Sequence, residues 1–459
     1  MNLDELLLKV KDVSLSALVW QEDILAEEDK EKYNNNGYFI KYTKAEFESL
    51  FPELPVNCIC YGPVLSGTSC LYFNRETLAV LNVPLDYSGE KGFLCALENL
   101  VDAIKDQEVE VANGNFVTSL LALQDSMRIE YFNMLIDNGK AVNNLYELFI
   151  NMFSLGDYGF AAMSDEAFIK IVAAKTDKQK RETESVLSGM PDIITIYRGQ
   201  TKAGTPLEKA HSWTLDRNIA NFFATRRGKD KAEIITATVS KKDVVEYISD
   251  RGEKEVLVRY KDLNIVGTTE LYGIETLNSL IPAVNPRYQK YKEILYTIPF
   301  DYESEIHGRL HSARVLIHTL FLSKMKGLSV ADRNVLGNAA LWHDTGRKND
   351  NYCEEHGYSG YTNYKNDCMS ASEKPDDIVS FLIKYHCRPD ADGYKEIATN
   401  PVLNAQKKRV TMLYKIFKDA DALDRVRLGI RDLDVNQLRC PESHNLTLVA
   451  RICLEQIKL

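Results

Sequence analysis

Six of the eight histidines in this 459-residue chain fall between His307 and His386, and that crowding is where chemistry can begin. In His307-Gly308-Arg309-Leu310-His311 the two histidines are four apart, a spacing that puts both on one face of a helix. Ala339-Ala340-Leu341-Trp342-His343-Asp344 ends an apolar helical run in an adjacent nitrogen and oxygen ligand. Phe417-Lys418-Asp419-Ala420-Asp421-Ala422-Leu423-Asp424 places carboxylates on a third amphipathic helix. Imidazole and carboxylate together suit a borderline divalent cation such as manganese, iron, zinc or nickel, and helices hold such ligands rigidly. A bound cation can acidify water and polarise a phosphoryl oxygen at once, so hydrolysis of a phosphate ester or anhydride is the chemistry that uses the whole pattern.

The order His, His-Asp, distant Asp resembles the HD phosphohydrolase superfamily. The resemblance rests on His311 in a His-x-x-Arg-Val context, His343-Asp344 before Thr345-Gly346-Arg347, and Asp421 within Asp-Ala-Asp-x-Leu-Asp-Arg. It implies an all-helical C-terminal domain with His311, His343, Asp344 and Asp421 as ligands to a divalent metal, magnesium included. His356 and His386 lie where dinuclear members of that family carry further ligands, which leaves a second metal open. For His307 the reading stays divided between a substrate-facing acid or base and a residue that supports a ligand or caps a helix. Arg347 and Lys348 either meet substrate phosphate or remain solvated. Asp419 and Asp424 orient neighbours, His318 belongs to packing or surface, and His444 shows nothing functional.

Upstream, Ile193-Ile194-Thr195-Ile196-Tyr197-Arg198-Gly199-Gln200 is a strand ending in an arginine that can fork onto phosphate and a glycine that can admit a ligand closely. Ser212-Trp213-Thr214 precedes a short helix through Phe222 and Phe223, capped at Thr214 or Asp216. Glu253 and Glu255, spaced by one residue before a strand, face one side of an extended chain. This order of Arg, Ser-x-Thr and Glu-x-Glu resembles the mono-ADP-ribosyltransferases of the arginine, serine, glutamate type. That resemblance implies NAD as cofactor, with Arg198 and Gly199 at its phosphate and ribose, Ser212 and Thr214 bracing the nicotinamide pocket, and Phe222 or Phe223 lining it. Glu255 would stabilise an oxocarbenium-like transition state and Glu253 would engage the acceptor, an arginine by preference. Ser212-Trp213-Thr214 departs from the usual Ser-Thr-Ser.

The two resemblances together imply a bifunctional enzyme that ADP-ribosylates a protein and hydrolyses a phosphoester or pyrophosphate, with ADP-ribose products as one candidate substrate. The pairing also resembles SidE-type bacterial effectors, which would make ubiquitin the acceptor, although the domain order is reversed here. Two further readings stay open: a nucleotide phosphohydrolase joined to a toxin or defence transferase, and a non-catalytic NAD- or partner-binding module joined to an HD hydrolase.

The elements that must position these residues suggest a multidomain α+β chain. Residues 1–115 mix an amphipathic helix from Leu3 to Leu18 with strand-like pieces at Val56 to Tyr61 and Cys70 to Phe73, and carry no chemical motif. Residues 116–282 read as the transferase-like domain, a run of three or four helices up to Gly189 followed by sheets at Ile193 to Tyr197, Glu233 to Val239, Val244 to Ile248 and Glu255 to Val258. Pro282, Asn285 and Pro286 mark a linker, and residues 283–459 read as the helical hydrolase. Nine cysteines without a CxxC pair suggest reduced thiols in a cytosol, and Cys58-Ile59-Cys60 reads as strand packing. A net charge of -10 argues against general nucleic-acid affinity. No apolar segment is long enough to span a bilayer, and acidic residues in Met1-Asn2-Leu3-Asp4-Glu5 stand where a Sec signal would place a basic one. The expected setting is therefore a cytoplasm, or a host cytosol reached without Sec export.

Overall fold

A computed structural model of the chain describes residues 16–17, 59–64, 67–84, 90–123, 125–155, 163–249, 251–429 and 432–456, with single positions at 45, 49 and 52. It is a mixed α/β protein of two compact units, residues 1–189 with 205–211 and residues 190–204 with 212–459. The expected limits at 115 and 282 do not coincide with this division.

The first unit opens with an antiparallel sheet of β1 (Ser16–Ala17), β2 (Ile59–Val64), β3 (Gly67–Phe73) and β4 (Val80–Pro84), in that order. Ser16 and Ala17 pair with Tyr61 and Cys60, so the expected opening helix does not run to Leu18; its residues 1–15 lie outside the described residues, as does Cys58. Among the described residues six helices follow: α1 (Glu90–Ala112), α2 (Val117–Ala122), α3 (Asp125–Asp137), α4 (Leu145–Leu155), α5 (Asp165–Ala173) and α6 (Asp177–Ser188). Five of them fall where three or four were expected, because α2 and α3 are separate. Ser164 caps α5 by accepting from the Ala167 N–H, and Thr176 with Gln179 closes a reciprocal capping box on α6. Phe149 packs against Phe132, Phe153 and Phe168, which gives these helices a shared aromatic core.

The second unit begins with β5 (Ile193–Thr201), β6 (Ser212–Thr214), α7 (Arg217–Thr225), β7 (Ala232–Ser240), β8 (Glu246–Ile248), β9 (Glu255–Leu257) and β10 (Leu263–Leu271). Its six strands pair antiparallel in the order β10-β7-β5-β6-β9-β8. Asp216 caps α7, its carboxylate accepting from the Asn218 N–H. A Cβ at Gly199 would lie 2.1 Å from the Ala220 carbonyl oxygen and 2.6 Å from the Ala224 nitrogen. The glycine therefore makes room for the backbone of α7, not for a ligand as its sequence context suggests. Lys254 has φ 48, in the left-handed region, so Glu253 to Glu255 is not the extended segment expected from its spacing.

A 24-residue helix, α8 (Ile274–Thr297), runs straight through Pro282 and Pro286 where a linker was expected. Each proline removes one backbone donor, and the helix survives because Leu277, Val284, Tyr288, Tyr291 and Leu295 are all buried along it. Beyond it lie α9 (Arg309–Met325), α10 (Val330–Trp342), α11 (His356–Ser370), α12 (Asp377–Tyr385), α13 (Asp390–Thr399), α14 (Pro401–Asn404), α15 (Lys407–Leu423), α16 (Pro441–Asn445) and α17 (Thr447–Gln456). One hydrophobic cluster joins Ala220, Ala224, Ile234 and Leu271 of the sheet region to Leu316, Leu336, Phe417 and Val449 of the helices. Hydrogen bonds cross the same seam, from Asn218 Nδ2 to Asp434 at 2.9 Å and from the Thr447 hydroxyl to Asn221 Oδ1 at 2.8 Å. Among the described residues no helix is long and apolar enough to cross a membrane.

The packing role of Gly199 has a direct test. Gly199→Ala should destabilise the chain by about 1–3 kcal/mol in urea unfolding; a variant as stable as the parent would mean that α7 does not sit on this strand as described.

Candidate functional site

Five helices bring their ends together around Asp344. His311 stands in the first turn of α9, His343 closes α10, His356 opens α11, His386 closes α12 and Asp421 lies in the last turn of α15. The side chains of His311, His343, Asp344, His356 and His386 are at most 5 % exposed, whereas that of Asp421 is 29 % exposed, so the cluster opens on the Asp421 side. Close backbone approach makes this convergence possible. A Cβ at Gly360 would sit 2.7 Å from the His343 carbonyl oxygen, and glycine there lets α11 press against the His-Asp turn.

Backbone carbonyls decide where the protons of the imidazoles sit. His343 Nδ1 is 3.0 Å from the Ala340 carbonyl, His386 Nδ1 is 2.7 Å from that of Ile383, and His356 Nδ1 meets that of Cys353. A carbonyl only accepts, so each Nδ1 carries hydrogen and each neutral ring has a bare lone pair on Nε2. His311 reaches the same state differently, with Nδ1 2.7 Å from the Asp424 carboxylate. The bare nitrogens then face one another: His343 Nε2 is 3.1 Å from His311 Nε2, and His356 Nε2 is 2.9 Å from His386 Nε2. Two neutral lone pairs cannot bond each other, and a cation between them satisfies both.

Asp344 links the two pairs. Its Oδ2 lies 3.5 Å from His311 Nε2, and its Oδ1 lies 3.1 Å from His356 Nε2 and 3.3 Å from His386 Nε2. Oδ1 is fully buried without a hydrogen-bond partner among the described residues, a state that a metal ion relieves. Asp421 Oδ1 is 3.3 Å from His311 Nε2. Potential ligand atoms within 4.8 Å of one another fall into overlapping sets, including His311, His343 and Asp421, and His343, Asp344 and His386. The residues of both sets are among those the sequence singles out, whereas the Cys387 thiol, which stands with His356 and His386 in a further set, is not. Burial pushes His343 down to about 3. Burial alone would raise Asp421, but the proximity of the His311, His343 and His386 imidazoles outweighs it, holding the carboxyl well below its ordinary range.

A ring of cations and supporting groups surrounds this cluster. Asp424 is fully buried and accepts from Arg314 Nε at 2.5 Å and Nη2 at 3.1 Å while holding His311, so it fixes the orientation of that imidazole. Arg427 donates to His307 Nδ1 at 2.9 Å, and Arg347 Nε lies 3.1 Å from Asp344 Oδ2. Arg314 is the arginine of the His-x-x-Arg-Val context, which carries no role for it in the sequence, and Arg427 is not singled out there. His307 precedes α9 rather than sharing its face, with Gly308 as the N-cap, yet its ring still meets that of His311 edge-on at 5.7 Å. Its Nδ1 is 3.3 Å from Asp344 Oδ2. Lys348 is exposed, and Asp419 lies apart from the cluster, accepting from the Arg439 and Cys440 N–H groups. His318 is buried in α9 as packing, where burial lowers it to about 4.

The upstream motif also converges. β6 lies between β5 and β9, pairing Thr214 with Tyr197 on one side and with Glu255 on the other. Arg198 Nη1 donates to the Ser212 carbonyl at 2.6 Å, and the Ser212 hydroxyl donates to Glu255. Burial lifts Glu255 to about 7 against the opposing Ser212 hydrogen bond, with Glu253 adding to the rise. Thr214 donates to the Glu253 carbonyl at 2.6 Å, a structural bond beneath the left-handed turn, and the Glu253 carboxylate pairs with Arg251 at 3.4 Å. Phe222 and Phe223 pack together on α7, with the Arg226 guanidinium 4.4 Å from the Phe223 ring centre.

Comparison with protein-family models, curated proteins and solved structures found no match. The orienting role of Asp424 predicts that Asp424→Asn lowers divalent-metal affinity by roughly tenfold to a hundredfold. Elemental analysis and metal titration, with circular dichroism to check folding, measure this; undiminished affinity in a folded variant would remove Asp424 from the site.

Proposed function

We propose that this chain is a bifunctional enzyme, a metal-dependent phosphohydrolase or phosphodiesterase joined to an NAD-dependent mono-ADP-ribosyltransferase. The observation that carries the hydrolase reading is the set of inward-facing, bare Nε2 atoms gathered around the orphaned Asp344 oxygen. His311, His343, Asp344 and Asp421 would hold a divalent metal, and His356 and His386 would hold a second. A metal held there supplies an acidified water and a Lewis acid for the phosphoryl oxygen. The chain's own groups do the rest. Arg347 and Arg427 stand at the cluster as guanidinium donors for phosphate charge. His307 accepts from Arg427 at Nδ1, which leaves its proton on Nε2, the atom able to protonate a leaving oxygen.

The transferase reading is supported by the hydrogen-bonded line from Arg198 through Ser212 to Glu255 across three paired strands. Arg198 clamps the NAD pyrophosphate and Glu255, once ionised, stabilises positive charge developing on the ribose as nicotinamide leaves. Glu253 engages the acceptor, a protein arginine or ubiquitin. Both clusters belong to one compact unit, which favours an ADP-ribose phosphoester or pyrophosphate as the hydrolase substrate.

Glu255→Gln should abolish NAD cleavage, and an unchanged rate would remove the transferase assignment. Because the ionised carboxylate is the working form and Glu255 titrates at about 7, the parent rate should climb with pH and be about tenfold lower at pH 6 than on its plateau. His343→Ala combined with Asp344→Ala should eliminate both bound metal and phosphodiesterase activity; full activity in that variant would count against the site.

A further inference from the structure

A second concavity, of about 700 Å³, lies between the C-terminal end of α9, the first half of α15 and the turn entering α16. Five cations line it, Lys326, Lys407, Lys408, Lys415 and Arg439, and no acidic residue does. This is unexpected in a chain whose net charge is -10. Neighbours outside the lining neutralise two of the five: Lys326 pairs with Glu442 at 2.8 Å, and Arg439 pairs with Asp390 at 2.6 Å and Asp419 at 3.1 Å. Lys407, Lys408 and Lys415 have no ion pair among the described residues.

Their placement compounds the imbalance. Lys407 and Lys408 are the first two residues of α15, where the helix dipole already presents positive charge, and that helix start has neither an acidic residue nor a side-chain cap. Lys407, Thr411 and Lys415 recur every four residues on one face. An anion in the concavity relieves the lysine repulsion and the uncapped helix end together. The volume suits a small organic ligand, and Met412 and Pro441 add apolar surface beside the cations.

We infer that this concavity is a second, non-catalytic site for a nucleotide bearing two or more phosphates, its phosphates on Lys407, Lys408 and Lys415 and its base against Met412 and Pro441. None of the residues lining the concavity belongs to the metal cluster, and along α15 Lys407 lies about 21 Å and Lys415 about 9 Å from Asp421, so this is not a phosphate pocket of that cluster. The same helix carries the nucleotide-facing lysines along its first half and a proposed metal ligand in its last turn.

Isothermal titration of the full chain in chelator tests the site, with ATP, tripolyphosphate and adenosine as separate probes. ATP should bind the parent and the His343→Ala/Asp344→Ala variant alike, and roughly tenfold or more weakly in Lys407→Ala/Lys408→Ala/Lys415→Ala. Tripolyphosphate should bind more weakly than ATP, adenosine should not register, and added salt should weaken ATP binding. Circular dichroism establishes that both variants are folded. ATP binding that ignores the three lysines, or no binding to the parent at all, overturns the site. Tripolyphosphate binding as tight as ATP overturns the nucleotide assignment. Loss of binding in the metal-cluster variant alone also overturns the second site, while leaving the hydrolase reading intact.

Discussion

The helical half of the second unit is organised by backbone carbonyls near helix ends that hold imidazole Nδ1 protons. A helix leaves its last carbonyls and first N–H groups without internal partners. At His343 and His386 the ring bonds a carbonyl three residues earlier in its own helix; at His356 the carbonyl comes from the turn just before the helix starts. The consequence is geometric and electronic together. Each ring is locked in orientation and in tautomer, and every free lone pair is directed into one buried volume. A fourth ring, His311, reaches the same tautomer through a carboxylate held by an arginine. Without these constraints the same residues would be a set of hydrogen-bonding side chains with no common target.

Asp344 sits where the two imidazole pairs meet, and what surrounds its charge decides whether the burial is tolerable. A buried carboxylate that lacks a proper hydrogen bond on one oxygen is strongly disfavoured unless cationic partners surround it. Arg347, with Nε 3.1 Å from Oδ2, is such a partner on one side, and the bare imidazole nitrogens around Oδ1 leave the other side to be met by a cation, as the proposed metal site requires. The upstream cluster works by the opposite device: Glu255 is buried with less compensation and its pKa rises to about 7. One unit thus holds a carboxylate kept ionised and another poised between its two forms.

Much of this was legible in the sequence because the relevant signals are local. The order of His311, His343-Asp344 and Asp421, with His356 and His386 between, marks the helix ends that converge, and the strands at 193, 233 and 255 appear near their observed places. What escaped the sequence depends on tertiary contact. Gly199 reads as a ligand-admitting residue until the backbone of α7 is seen to fill its space. Pro282 and Pro286 read as a break, since a helix interior normally excludes proline, yet buried apolar residues on both sides carry α8 through them. The roles of Arg314 and Arg427 are set by a carboxylate and an imidazole more than a hundred residues away. The largely exposed β10 lacks the buried alternation that reveals a half-buried strand.

The shared seam between sheet and helices changes how the second unit responds to damage. Ala220, Ala224, Ile234 and Leu271 contribute to the same apolar cluster as Phe417 and Val449, and Asn218 bonds across to Asp434. The strand motif and the histidine cluster are therefore not beads on a string. A substitution that loosens α7 withdraws support from the helices beneath, so the two centres are coupled through folding cooperativity even if no signal passes between them. Selection acting on either cluster acts on the stability of the other.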